Sequence, residues 1–282
     1  MKINSPACIL ILLLHVSMSP MPYPSPTNSC YKTKPTNNFS YEEVHSEPTF
    51  KNLKMLGAVG DCGIESPSHS TILYGGILRS MRFKNITEMV EDKYDLPRNL
   101  LLAMIIQETH GADLLPNCLD DGGIGLCHMQ GSTAYEFGLK TYKNFNKLRS
   151  TTHGRELRKL IQTHKYDRKK LIVHDDRFHP IYNIDAAGRM LHCYMHKPRI
   201  KGLTKVQMAI RYYAGKYNYR KYWRNVSYYQ DKLNDPEVLA EVERRFNSLN
   251  KSLLINGRKG DYKGYIAAHQ QQNYNYGLAS YK

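Results

Sequence analysis

Acid is what this chain is short of. Only 25 Asp and Glu stand against 40 Lys and Arg, a net charge of +15 over 282 residues. That balance points to an anionic partner, and nucleic acid, acidic lipid and the acidic peptides of a bacterial wall all satisfy it. Long apolar runs are missing too. The N-terminal run, Ala7 to Val16 behind Lys2, is too short to cross a bilayer as a helix but suits the core of a secretory signal. Zinc signatures are absent: there is no HExxH and no paired CxxC. His192 and His196 do sit at i and i+4 beside Cys193, with His174, Asp175, Asp176 and His179 nearby. Among twelve histidines such a pair is read as structural or surface, and no metal is expected. Cysteine is sparse. Loss of a signal removes Cys8 and leaves Cys30, Cys62, Cys118, Cys127 and Cys193, an odd number that argues against a complete disulfide framework. Cys118 and Cys127 flank a glycine turn, where a bracing bridge and two buried thiols both fit. No lipid-attachment pattern precedes Cys30, so the mature chain is expected to be soluble.

The remaining composition divides the chain. Residues 1–19 form the expected signal, with Ser17 and Ser19 near its end. Residues 20–48 hold six prolines among Ser, Thr and Asn and read as an extended spacer. Residues 49–84 are a lead-in broken by Gly57, Gly60, Gly63, Gly75 and Gly76, with Ile72, Leu73, Ile77 and Leu78 available to pack on a core. Residues 85–229 are the expected domain, opening with a helix over Ile86–Tyr94 for which Asn85 is a plausible cap. Within it, 140–177 is a basic insert with twelve Lys and Arg against four acids. Its helical spacing over 156–172 rests on Leu157, Leu160, Ile161 and Leu171. A solvated basic face and a patch that draws the protein to an anionic wall fit the insert equally. Residues 230–282 are a helix over about Pro236–Leu249 and a polar, Tyr-rich tail.

One stretch, Leu100 to Leu139, organises the whole. Leu100 to Ile106 is apolar nearly all round, which fits a helix buried on every side, and Pro97 suits its first position. Glu108 lies one turn beyond Met104 and two beyond Leu101, on the same face. A carboxyl held against such a face is desolvated, its pKa rises, and it becomes able to donate a proton near neutral pH. Gly111 closes the helix, and a glycine turn, Gly122 to Gly125, leads into Leu126, His128, Met129 and Gln130.

These residues resemble the catalytic domain of soluble-type lytic transglycosylases, relatives of goose-type lysozyme. In that family a glutamate followed by serine precedes Gly-Ala-x-Gly-Leu-Met-Gln and then Thr-Ala. Here Glu108 is followed by Thr109, and Gly122 to Ala134 continue the pattern. Phe178 to Ile184 is similar to the family's Phe-x-Pro-x-x-Asn-Ile, and Tyr212, Tyr213, Ala214, Gly215 to its Tyr-Asn-Ala-Gly. Tyr222 to Tyr229 is similar to its closing Tyr-Val-x-x-Val-x-x-Tyr. The blocks run from about Pro97 to Tyr229, nearly half the chain.

The resemblance implies an all-α, lysozyme-like helical domain, to which the composition adds a Pro-rich leader and a basic C-terminal extension. It implies no cofactor, a periplasmic or cell-envelope location after export, and action as a monomer on peptidoglycan glycan strands, with cell-envelope proteins as possible partners and no nucleic acid. Glu108 would be the catalytic acid and base. Thr109, Leu126, His128, Met129, Gln130, Tyr212 and Tyr213 would contact substrate, with Tyr212 matching the tyrosine whose hydroxyl touches the glutamate. The tyrosines of 211–229, interleaved with Lys and Arg, suit sugar rings or nucleic-acid bases, and the resemblance favours sugar. Departures are a loop between Glu108 and Gly125 about two residues longer than usual, His128 for glutamine, Tyr213 for asparagine and Gly131 for proline. Two alternatives remain. A hydrolytic muramidase would need a second carboxylate, from Asp113, Asp120 or Asp121. A non-catalytic wall- or nucleic-acid-binding protein would use the basic face alone.

Overall fold

A computed structural model describes residues 71–111, 121–143, 150–164 and 168–249, with the short pairs 254–255 and 258–259. In chain order the helices are α1 (Gly76–Ser80), entered through a π-helical turn (Thr71–Gly75) and left through a 3-10 turn (Met81–Phe83), α2 (Lys84–Lys93) and α3 (Leu100–Thr109). Then come α4 (Gly131–Glu136), α5 (Ser150–Thr163), α6 (Arg168–Leu171) and α7 (Pro180–Met195). Last are α8 (Lys205–Ala214), α9 (Tyr219–Leu233) and α10 (Pro236–Leu249). The described part is all-α. Strand pairing there is limited to a two-residue ladder, Leu254–Ile255 with Arg258–Lys259, and one bridge between Ile124 and Met129.

Helix α3 is the axis of the packing. Each residue from Leu100 to Ile106 is at most 1% exposed, as an all-apolar helix must be. Helix α9 lies along it, α1, α2 and α7 close other sides, and α8 ties α7 to α9. The head of α3 differs from the sequence expectation. Pro97 is not its first residue; it sits in the preceding turn, where its carbonyl accepts from Leu100 N–H at 3.2 Å. Asn99 is left-handed, and Glu91 reaches over from α2 to accept from the N–H groups of Asn99 (3.0 Å) and Leu101 (2.8 Å). A remote carboxylate thus satisfies donors that would otherwise be orphaned at a helix start. Asn85 is not a cap either. Because the chain enters α2 directly from the 3-10 turn, the helix begins at Lys84, with Phe83 at its N-cap, and encloses Asn85.

Other boundaries follow local chemistry. Pro180 opens α7, Thr204 and Gln207 form a reciprocal capping box on α8, and α10 occupies the expected span 236–249. The packed core runs past both ends of 85–229: Leu73, Ile77 and Leu78 before it, and Val238 and Val242 after it, join the same cluster. The expected helical spacing in the insert resolves into α5 and α6. Leu157, Leu160, Ile161 and Leu171 form a second, smaller core with Ile124 and Phe178, so the insert is anchored to the loop that follows Glu108. Among the described residues no helix is long and apolar enough to cross a membrane. The signal, the proline-rich spacer, Cys8, Cys30, Cys62, Cys118, Asp113, Asp120 and most of the C-terminal tail lie outside the described residues.

Candidate active site

Glu108 leaves the last turn of α3 and borders a cleft of about 370 Å³. The opposite wall is the segment 121–130, a tight turn whose legs are bridged by Ile124 and Met129, each N–H bonding the other's carbonyl at 3.2 and 3.0 Å. Gly125 at its tip has φ +78°, and a Cβ there would lie 2.2 Å from Asn183 Nδ2 and 2.4 Å from the Arg177 carbonyl oxygen, so only glycine fits. Three contacts fix the turn from behind. Asn183 Oδ1 accepts from Cys127 N–H at 2.8 Å while its Nδ2 donates to Ile124 O at 3.3 Å. The Tyr213 hydroxyl donates to the Cys127 carbonyl. Arg177, fully buried, donates to the carbonyls of Gly122 (2.8 Å) and Met129 (2.9 Å), to both oxygens of Asp175, and to His153 Nε2 at 3.1 Å. That carboxylate neutralises the buried guanidinium, while its other donors clamp both legs of the turn.

Two carboxyls and an imidazole share the cleft with its tyrosines. Burial raises the pKa of Glu108 above its ordinary value. The positive charge of His128 and the nearby hydroxyls of Tyr222 and Tyr213 offset part of that rise, and the charge of Asp121 adds to it. Burial acts to lower the pKa of His128, but its contact with Asp121 (Nε2 to Oδ2, 3.2 Å) and the charge of Glu108 outweigh it and hold the ring protonated more firmly than usual. For Asp121, burial would raise the pKa. Hydrogen bonding and charge from His128, together with the Gly123 N–H at 2.9 Å, prevail and hold it below the ordinary carboxylate value. Tyr213 and Tyr222 are pushed far up by burial and by the Glu108 charge, so both remain donors. The Tyr222 hydroxyl is sealed from solvent beside Glu108. One carboxyl is thus biased to hold a proton and the other to lose it, an arrangement that can serve acid–base chemistry.

His128 owes its place to backbone geometry. Its φ of +45° is unusual for a side-chain-bearing residue, and a Cβ on Gly123 would come within 2.3 Å of its Nε2. Gly123 is therefore the floor on which the imidazole lies.

Of the residues expected to form the site, Glu108, His128, Met129, Gln130, Tyr212 and Tyr213 line the cleft. Thr109 and Leu126 do not. Thr109 is buried, with its hydroxyl 3.0 Å from the Leu126 carbonyl and 3.2 Å from that of Ile105, so it ties α3 to the turn; the Leu126 side chain is in the core. Contact with the glutamate, expected of Tyr212, falls to Tyr213 and Tyr222. Successive residues on a helix point about 100° apart, and Tyr212 instead packs on Tyr194 (5.4 Å between centroids) under the Lys197 amine. Asp121 joins the cleft as the second carboxylate, whereas Tyr222, Tyr194, Met190 and Asn218 were missed. Tyr222 had a signal: it opens the last matching block, one turn beyond Asn218.

Other sequence features resolve structurally. Cys127 is a buried thiol outside any disulfide, and burial pushes its pKa up, away from nucleophilic use. His192 and His196 direct their Nδ1 atoms to the carbonyls of Tyr94 (2.9 Å) and His192 (2.8 Å). Asp175 and Asp176 accept from the backbone N–H groups of Tyr142 and Lys140. Among the described residues no group of three or more His, Cys, Asp or Glu is placed to hold a metal.

Fold and site together define a class no finer than an all-α protein with an acid-bearing, tyrosine-lined cleft. No protein-family model, curated protein or solved structure matches the chain.

Proposed function

We propose that this chain is a peptidoglycan lytic transglycosylase with a lysozyme-like helical core, exported to the periplasm and acting as a monomer on glycan strands. The observation that carries the reading is Glu108: a carboxyl biased toward its protonated form, facing two phenol hydroxyls across a cleft lined by aromatic and hydrogen-bonding side chains.

Glu108 donates its proton to the oxygen joining N-acetylmuramic acid to N-acetylglucosamine. The C1–O4 bond breaks, its electron pair stays with the leaving oxygen, and positive charge develops at C1. The Glu108 carboxylate then takes the proton from the muramyl C6 hydroxyl as O6 bonds to C1, closing a 1,6-anhydro ring. No water is consumed and the glutamate ends protonated, ready for another cycle. The Tyr222 hydroxyl stabilises the carboxylate between the two transfers, while Tyr213, its hydroxyl donating to the Cys127 carbonyl, holds the turn in place; the His128 charge favours the carboxylate from the opposite wall. Met129, Gln130 and Tyr212 offer the apolar surface and amide for the sugar rings.

A second reading, hydrolysis of the same bond, is favoured by one observation: Asp121, held ionised, borders the same cleft and could direct a water to C1. Mass spectrometry of the products separates the two. Transglycosylation leaves anhydromuramyl ends, one water lighter than the reducing ends that hydrolysis leaves.

A further inference from the structure

No acid occurs between Asp185 and Asp231, a stretch that carries ten Lys and Arg. Folded, that stretch is most of α7, the connection 196–204, all of α8, the turn 215–218 and most of α9. It supplies one wall of the cleft, including Tyr194, Tyr212, Tyr213, Asn218 and Tyr222. Of its ten cations only Arg189 is buried, and that one is paired with Asp185 at 3.1 Å.

Four of the others fall close together in the chain, at the turn 215–218 and the start of α9. Lys216, Arg220, Lys221 and Arg224 are all exposed, and among the described residues none is in an ion pair. Aromatic rings lie between them. Tyr217 is 74% exposed with the Lys216 amine 5.7 Å from its ring centre, and Tyr219 carries the guanidinium groups of Arg211 and Arg220 at 5.5 and 5.9 Å. Ala214 just before this turn and Asn218 within it border the cleft, so the patch continues the cleft mouth. Four exposed cations without an ion pair within nine residues, 216–224, cost self-repulsion, and an anionic ligand relieves it.

We propose that this ledge, made by Lys216, Tyr217, Tyr219, Arg220, Lys221 and Arg224, is a second binding surface that holds the carboxylates of the acidic peptides borne by the strand in the cleft. The inference rests on the glycan-cleaving reading above, because continuity with the cleft is what selects the strand's own peptides over a separate polyanion. The ledge makes the enzyme prefer peptide-bearing strands and leaves the chemistry at Glu108 untouched.

The test uses the purified chain and two preparations of sacculi, one untreated and one whose peptide carboxylates have been converted to methylamides with a carbodiimide. The wild type releases products from untreated sacculi about ten-fold faster at low salt, and the preference fades as salt screens the ledge. A variant with Lys216→Gln, Arg220→Gln, Lys221→Gln and Arg224→Gln, all exposed positions, acts on both alike and matches the wild type on amidated material. Equal wild-type rates on the two preparations, or a variant that keeps the preference, overturns the proposal. Cosedimentation with the same sacculi reads the ledge separately from catalysis. Charge-dependent retention that the variant loses supports the ledge even if no glycan is cleaved, in which case the catalytic reading alone fails. Equal retention on both preparations, with variant-sensitive binding to duplex DNA, assigns the surface to nucleic acid instead and overturns the proposal.

Discussion

Glu91 caps the helix that carries Glu108, and its burial makes a quantitative demand on stability. Glu91 is 1% exposed, and its carboxyl accepts two backbone N–H groups at the head of α3. Burial lifts its pKa from 4.5 to about 7, against the two hydrogen bonds and the charge of Arg98, which pull it down, while Glu88 adds a little to the rise. Below pH 4.5 the group is protonated in folded and unfolded chains alike. Between 4.5 and 7 the unfolded chain releases the proton and the folded one keeps it, so folding takes up a proton and stability falls as pH rises. Above about 7 both forms are ionised and the loss is complete. At about 1.4 kcal/mol per unit, the shift corresponds to a loss of about 3 kcal/mol across that window. Glu91→Gln is neutral at every pH and escapes that loss. Urea unfolding of wild type and variant from pH 4.5 to 8 should show the wild type losing about 3 kcal/mol more than the variant as pH rises. Parallel stability curves would refute the account of Glu91 as a buried cap whose ionisation opposes folding.

The turn and the cleft make further demands. Gly125→Ala combines left-handed strain, about 1–2 kcal/mol, with overpacking against Asn183 and Arg177, about 1–3 kcal/mol, so thermal unfolding should report a loss of about 2–5 kcal/mol. Because the acid must be protonated, activity should fall as pH rises through the Glu108 pKa. His128→Gln removes the positive charge that favours the Glu108 carboxylate, so the alkaline limb of the pH–rate profile should move to higher pH; an unmoved or lowered limb would show that His128 does not act on Glu108.

How much of this was legible in the sequence depended on whether a feature was local. The apolar run 100–106 announced a helix buried on all sides, and Leu157, Leu160, Ile161 and Leu171 announced an apolar face, because periodicity alone carries that information. Side-chain direction beside a motif was less accessible. Thr109 and Leu126 are neighbours of cleft residues, yet both point into the protein, and Tyr212 and Tyr213 exchanged expected roles through one helical step. Long-range partners were invisible. Nothing adjacent to Pro97 showed that Glu91 would cap α3. Arg177 looked like one more cation of a basic insert, although Asp175 and Asp176 beside it broke the run of charge and were the available hint that it was paired and buried.

The most direct test of the central claim is digestion of purified sacculi by the wild-type chain and its Glu108→Gln variant, with mass spectrometry of the soluble products and circular dichroism of both proteins. Release of anhydromuramyl products by the wild type, and none by an equally folded variant, is what a single glutamate acting as acid and then base requires. Undiminished release by the variant would remove Glu108 from the chemistry and contradict the account.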